Sequence, residues 1–460
     1  MRCAVSRGDT RKRTHNYSTN REEEYQMPIS PPEELDRYLT PNVKGLTPSA
    51  TVAINDRSNA LRDQGREIFK LGLGQSPFPV PENVVDALRD NAHKKDYLNV
   101  KGLYNLRRTI AEHHCRTFDI EASAEDVLIG PGSKELMFLL QLCYDGDIVI
   151  PSPAWVSYEP QARIVGRPIY RLHCTIENDW FPTAEEIDLL CRDNGCGNRI
   201  LILNYPLNPT GTTLSRDRLK EIADVARQNR IIILSDEIYG KLDHEGIHHS
   251  IVPFYPEGTI FSGGLSKWCG AGGWRLGLFV FPPGLRWLQD AMAAVGTETF
   301  TSTCAPIQHA AITAFEEGPE ITHYLLHARR VLRTLGHPLA AQLRQIGAEI
   351  LDPSGGFYLF PDFSPLADRM HSRGVMTSAE MCERLLEDTG VAALPGVDFG
   401  RSAEELTMRI AYVDFDGAEA LSASAELPLD RPLPDDFAAK YCPRVVQAID
   451  RLCAWVEELG

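Results

Sequence analysis

No part of this sequence is a continuous apolar run of about 18 residues, the length a membrane-crossing helix needs, so no bilayer span is expected. Positive charge is also short. Lys and Arg number 47 against 63 Asp and Glu, which leaves −16 at neutral pH. That balance disfavours nucleic acid and anionic membrane as main partners. It does not exclude a small anionic ligand, since a few Arg and Lys can build a local cationic site. The eleven cysteines include no C-x-x-C spacing, Cys191 and Cys196 being the nearest pair. Neither a zinc site nor a disulfide framework follows, no metal is expected, and reduced thiols in the cytoplasm fit best. An internal repeat is also lacking.

Basic residues do gather at the start, where Arg2, Arg7, Arg11, Lys12 and Arg13 face a single acid, Asp9. An organelle transit peptide can begin this way. Apolar residues are sparse there and Glu22, Glu23 and Glu24 follow, so the plainer reading is a disordered basic tail. Residues 1–32 read as a disordered arm ending in Pro28, Pro31 and Pro32. A segment over 33–80 is expected to join a smaller domain.

The dominant pattern over 81–320 is alternation. Short β-branched runs, at Val127–Ile129, Ile148–Ile150, Ile200–Leu203 and Ile231–Leu234, are separated by helical stretches near 134–143, 155–164 and 215–229. This predicts an α/β fold with a mainly parallel sheet covered by helices. Ligands on such folds bind beyond the carboxyl ends of the strands. A long helical pattern at 319–345, a few strands and a final helix near 440–457 predict a smaller α+β domain over 321–460. The stretch 417–437, rich in Ala, Pro, Asp and Leu, reads as an irregular insertion.

Several residue groups carry chemistry. Lys267 sits in a Gly-rich loop between two apolar runs, an unusual place for a solvent-loving side chain, and a Schiff-base lysine needs such confinement. Asp236 follows the run Ile231–Leu234, with Tyr239 three residues on. Alone, Asp236 could be a helix N-cap. Beside such a lysine it suits the pyridine nitrogen of pyridoxal phosphate (PLP), whose protonation makes the ring an electron sink. Tyr239 could then bond the ring's 3-oxygen, as could Asn208 in the turn Asn204–Gly211. Gly130, Pro131, Gly132, Ser133 and Lys134 lie between strand and helix, where free N–H groups can hold an anion. Trp155 could stack on a flat ring.

In this order the motifs resemble the class I/II aminotransferases of PLP fold type I, in the branch holding aspartate and aromatic aminotransferases. The resemblance runs from about residue 50 to 415. It implies an enzyme of amino-acid metabolism that moves an amino group from an L-amino acid to a 2-oxo acid, 2-oxoglutarate being the expected acceptor, by a ping-pong route. It implies that Lys267 carries PLP and later moves the Cα proton. Asp236 would pair the pyridine nitrogen, Asn208 and Tyr239 the 3-oxygen, and Trp155 would cover the ring. The phosphate would be held by Gly132, Ser133, Lys134, Ser266 and Arg275, with Tyr97 reaching it from the other subunit of a homodimer. Arg409 would grip the substrate carboxylate, and Gly74 would leave room for it. Three departures stand out: Gln75 and Ser76 in the Gly74 loop, Gly264 where a phosphate-binding Ser is common, and the 417–437 insertion. Two alternatives share these motifs. One is a fold type I lyase or oxidase, such as a 1-aminocyclopropane-1-carboxylate synthase-like enzyme. The other is a PLP-binding regulator, which the acidic balance and the non-periodic arm disfavour. The pairs His113-His114 and His248-His249 match no motif and read as ordinary helix and loop residues.

Overall fold

The structure, a computed structural model, describes residues 38–195 and 197–458. The arm expected at 1–32 lies outside the described residues. Those from Leu46 onward form one unit.

Seven strands form the main sheet: β2 (Val127–Gly130), β3 (Asp147–Ser152), β4 (Ile169–His173), β5 (Arg199–Asn204), β6 (Ile232–Asp236), β7 (Thr259–Gly264) and β8 (Gly277–Val280). An earlier two-residue strand, β1 (Phe69–Lys70), belongs elsewhere. The order is β2-β8-β7-β6-β5-β3-β4, parallel throughout except that β8 runs against both its neighbours. The expected mainly parallel sheet is therefore present.

The unbroken apolar runs reflect burial of both sheet faces. Ile200, Ile202, Ile232 and Leu234 pack with Leu136, Leu139, Leu140 and Met292 on one side. Leu201, Leu203 and Ile233 pack on the other with Leu219, Ile222, Ala223 and Ala226. Those last four occupy one stripe of helix Arg216–Gln228, whose first turn is capped by Ser215 accepting from the Arg218 N–H. The helix expected from Trp155 starts three residues later, at Tyr158.

Smaller sheets complete the unit. Strands β9 (Tyr358–Leu359), β11 (Leu394–Pro395) and β12 (Met408–Ala411) pair antiparallel in the order β11-β12-β9, and β1 pairs parallel with β10 (Val391–Ala392). The long helix is Pro319–Gln345, as its periodicity predicts. The 417–437 stretch is not irregular throughout. It opens with helix Gly417–Ala425, because the Asp416 carboxylate accepts from the Ala418 and Glu419 N–H groups and the Ala-rich sequence favours the helix. No helix of the described residues is long and apolar enough to cross a membrane.

Candidate active site

Strand register builds the floor of the site. Asn204, Asp236 and Ser262 are cross-strand partners near the carboxyl ends of β5, β6 and β7. The loops leaving these strands, with the turn after β2 and Trp155 after β3, enclose a cavity of about 320 Å³. Gly74, Ser133, Lys134, Trp155, Asn208, Asp236, Tyr239, Ser266, Lys267, Arg275 and Arg409 all line it. Of the residues predicted from sequence, Gly132 stands just behind this lining. Tyr97 does not reach the cavity and is 87% exposed.

Asp236 is 3% exposed. Its carboxylate accepts hydrogen bonds from the Tyr158 hydroxyl at 2.6 Å and the Ser262 hydroxyl at 3.3 Å. Burial pushes this carboxyl up to about 6, opposed by those two hydrogen bonds, by the Ile238 N–H and by the Lys267 charge. Asn204 steadies the strand end, its amide donating to the Asp236 carbonyl at 2.7 Å and its side-chain oxygen accepting from the Asn208 N–H. The Lys267 ammonium donates to the Gly74 carbonyl at 2.6 Å and lies 5.5 Å from the Tyr239 ring centre. The Tyr239 and Tyr358 hydroxyls share a hydrogen bond of 2.7 Å.

Helix Ser133–Cys143 points its N-terminus into the same space. Strand β8 crosses so closely that a Cβ on Gly277 would lie 2.0 Å from the Ser133 nitrogen. A Cβ on Gly132 would lie 2.2 Å from Arg275 Nη2, so glycine here admits the guanidinium. Arg275 itself holds a φ of 55°. The turn thus joins free N–H groups to a fixed cation, a good anion cradle. The Lys134 side chain also faces the cavity, its ammonium 5.0 Å from the Trp155 ring centre. Burial lowers its pKa, helped by Arg275 and Lys267.

Arg409 is 1% exposed and has no ion-pair partner among the described residues. Its Nη1 donates to the Asn208 side-chain oxygen at 3.0 Å and Nη2 to the Gly72 carbonyl, while Nε is buried with no partner. An uncompensated buried guanidinium invites a carboxylate. Gly74 has a second reason to be glycine, because a Cβ there would meet the Tyr358 hydroxyl at 1.9 Å.

Sequence reasoning missed Tyr158, Tyr358 and Thr51, which also line the cavity. Tyr158 follows Trp155 by three residues, a spacing that could have signalled it. Tyr358 and Thr51 lie far away in sequence, with no local signal.

The family model for aminotransferase class I and II matches residues 66–420. The chain belongs to this aminotransferase family. It is 32% identical over 389 residues to an aspartate aminotransferase of Bacillus sp. (strain YM-2), covering 82% of this chain and 95% of the relative. It is also 32% identical over 368 residues to the aspartate/prephenate aminotransferase of Thermus thermophilus, covering 79% of this chain and 92% of the relative. A solved structure of the Thermus thermophilus aspartate aminotransferase with maleate superposes with a TM-score of 0.75 at 31% identity, covering 84% of this chain and 98% of that one.

This aminotransferase depends on PLP, and its cavity fits the cofactor. It offers a confined primary amine, a buried carboxylate lacking a cation, an aromatic face and an anion cradle. Asp236 also gives a pH prediction. A buried carboxylate that titrates near 6 is discharged as pH falls, and a protonated ring nitrogen then loses its counter-charge. Retention is therefore fully present above that pH and lost below it. The PLP dissociation constant is expected to rise as pH falls below about 6, by up to roughly tenfold per unit. Equilibrium dialysis across pH 5 to 8 measures this, and a flat profile would contradict it.

Proposed function

We propose that this aminotransferase moves the amino group of a dicarboxylic L-amino acid, aspartate first among them, to 2-oxoglutarate by a ping-pong route. The observation that carries this reading is a count of cations in one cavity. Lys267, Arg275, Arg409 and Lys134 all line it. Lys267 takes the cofactor, Arg275 with the Ser133 helix terminus takes its phosphate, and Arg409 takes the substrate α-carboxylate. Lys134 is then left for a second carboxylate. The names of the relatives from Bacillus and Thermus support the same choice.

When bound, PLP supplies an aldehyde that accepts the amino group and a ring that stabilises negative charge at Cα. Asp236 would keep the ring nitrogen protonated, and Tyr158 and Ser262 hold that carboxylate in place. Tyr239 and Asn208 would bond the ring's 3-oxygen, and Trp155 would cover the ring face. Ser266 and the Gly132 turn would complete the phosphate cup. Lys267 would hold the cofactor aldehyde and, as a free amine, would be the base placed to accept the substrate Cα proton.

Two variants separate the carboxylate sites. Arg409→Lys replaces a bidentate fork by a point charge and is expected to weaken every substrate alike, by roughly 2–4 kcal/mol in kcat/KM. Lys134→Met is expected to cost aspartate and 2-oxoglutarate about tenfold or more while sparing alanine and phenylalanine. Equal losses for all donors in Lys134→Met would overturn the dicarboxylate reading.

The remaining organisation belongs to the same proposal. The working form is a cytoplasmic homodimer, its large domain spanning 81–320, its small domain 321–460 with help from 33–80. Eight described cysteines, among them the buried Cys174, Cys269, Cys382, Cys442 and Cys453, are free thiols and support a reducing compartment. The exposure of Tyr97 supports its reaching the neighbouring subunit's phosphate. Mixing a Tyr97 variant too weak to hold PLP with Lys267→Ala tests this, because both lesions fall in the same site of a mixed dimer. About half the dimers are mixed, so activity is expected to return to roughly a quarter of wild type. No recovery in well-mixed dimers would show that Tyr97 serves its own chain.

A further inference from the structure

A second cavity, of about 260 Å³, lies against the first. Ile238 lines both. Trp268, next to the cofactor lysine in sequence, lines only the second of these, as does Gly264, which stands where a phosphate-binding hydroxyl is common. Helix Tyr104–Phe118 gives one wall, the segment after β6 another, and Arg329 reaches in from helix Pro319–Gln345.

One part of the lining is an aromatic box. Phe118 and Phe261 meet with ring centres 5.7 Å apart, and Trp268 and Phe315 meet edge-on at 6.1 Å. The buried His114 ring stands edge-on to Phe118 and Phe261, at 4.7 and 4.9 Å, and makes no hydrogen bond among the described residues. Burial holds His113 and His114 far below the usual imidazole range, to about 3, so both are neutral at pH 7.

Charges around the cavity pair off except one. Glu317 is shared by Lys241 and by His113 Nδ1 at 3.1 Å. Glu237 accepts from Tyr205, Ser235, Ser250 and His248. Arg329 uses Nε to donate to the Lys241 carbonyl at 2.8 Å. Its other guanidinium nitrogens have no hydrogen bond, and no carboxylate stands within ion-pair distance, among the described residues. Asp243 acts on it electrostatically, but its carboxylate accepts from the Glu245 and Ile247 N–H groups and makes no ion pair with it. A half-buried cation without an ion-pair contact in a cavity lined by aromatic rings calls for one negative charge on a flat apolar body. The volume is below the roughly 300–1,000 Å³ of drug-sized sites, which limits the ligand to one ring and a short chain.

We propose that this cavity binds a small aromatic monocarboxylate, its carboxylate on the Arg329 guanidinium and its ring between Phe118, Phe261, Trp268 and Phe315. The probe is 3-phenylpropionate, which carries neither an amino nor an oxo group and so is not turned over. Calorimetric titration of the holoenzyme, with tryptophan fluorescence alongside, is expected to show one probe per chain. Arg409→Ala, which removes the carboxylate grip of the active site, is expected to leave that binding intact. Arg329→Gln is expected to weaken it by about tenfold or more. Thr117→Trp, which fills the cavity from the helix surface, is expected to abolish it, and both back-cavity variants should keep their transamination rate. Benzylamine, with the same ring but a positive charge, should not compete. Loss of binding in Arg409→Ala would place the probe in the active site and overturn the proposal. So would wild-type affinity in either Arg329→Gln or Thr117→Trp, or no binding at millimolar probe.

Discussion

Lys267→Ala is expected to lower turnover by about 10⁴-fold or more, the upper end of what one positioned acid–base group contributes. The loss should be large because one amine is asked to do two things. In the role proposed for it, it would anchor the cofactor and, once released, move the substrate proton. Its position suits both. The ammonium is held by the Gly74 carbonyl and faces the Tyr239 ring, and it makes no ion pair with a carboxylate among the described residues. Borohydride reduction of the wild-type holoenzyme should fix the cofactor to the peptide containing Lys267. The other lysine of the cavity, Lys134, is the built-in control. A label on Lys134, or a Lys267→Ala enzyme keeping more than about a hundredth of its turnover, would overturn the assignment.

Asp236→Asn is expected to cost roughly 10³-fold in turnover, about 4 kcal/mol of transition-state stabilisation. The amide keeps the shape of the side chain; its one oxygen can still accept from Tyr158, and its NH2 can donate to the Ser262 hydroxyl, which turns to accept, so the lesion is chiefly one of charge. Without the carboxylate, the ring nitrogen has no counter-charge in a site already shielded from water, and its proton is lost. The same burial that pushes Asp236 up makes its charge valuable once a cation arrives. Following a single half-reaction with excess aspartate isolates the chemical step from product release. A variant retaining more than about a tenth of wild-type turnover would mean that the ring sits elsewhere.

Much of the fold is legible in the order of the amino acids. The paired apolar runs forecast a sheet buried on both faces, because strands with helices on either side need hydrophobic residues at every position. The long helix Pro319–Gln345 is readable because its apolar period is unbroken. The 417–437 stretch reads as irregular because its Pro and Asp content hides a short capped helix, Gly417–Ala425. At the site, the turn chemistry around Lys134 points only to its backbone amide, whereas its side chain also enters the cavity above Trp155. The same limit applies to His113, which reads as an ordinary helix residue and is instead bonded to Glu317.

The sequence alone determined the fold class and the family, and it singled out Lys267 as the lysine to test. Each depends on local order, a hydrophobic period or a short motif whose spacing is carried along the chain. Tertiary structure decided which partners those residues meet. Tyr158 reaches Asp236 across 78 positions, and Arg409 reaches Asn208 across 201. Such pairings are set by strand register and helix packing. Only the fold could likewise leave Arg409 Nε without a hydrogen-bond partner and the Arg329 guanidinium, bonded to one carbonyl, without an ion-pair partner among the described residues, because whether a charge is matched depends on everything packed around it.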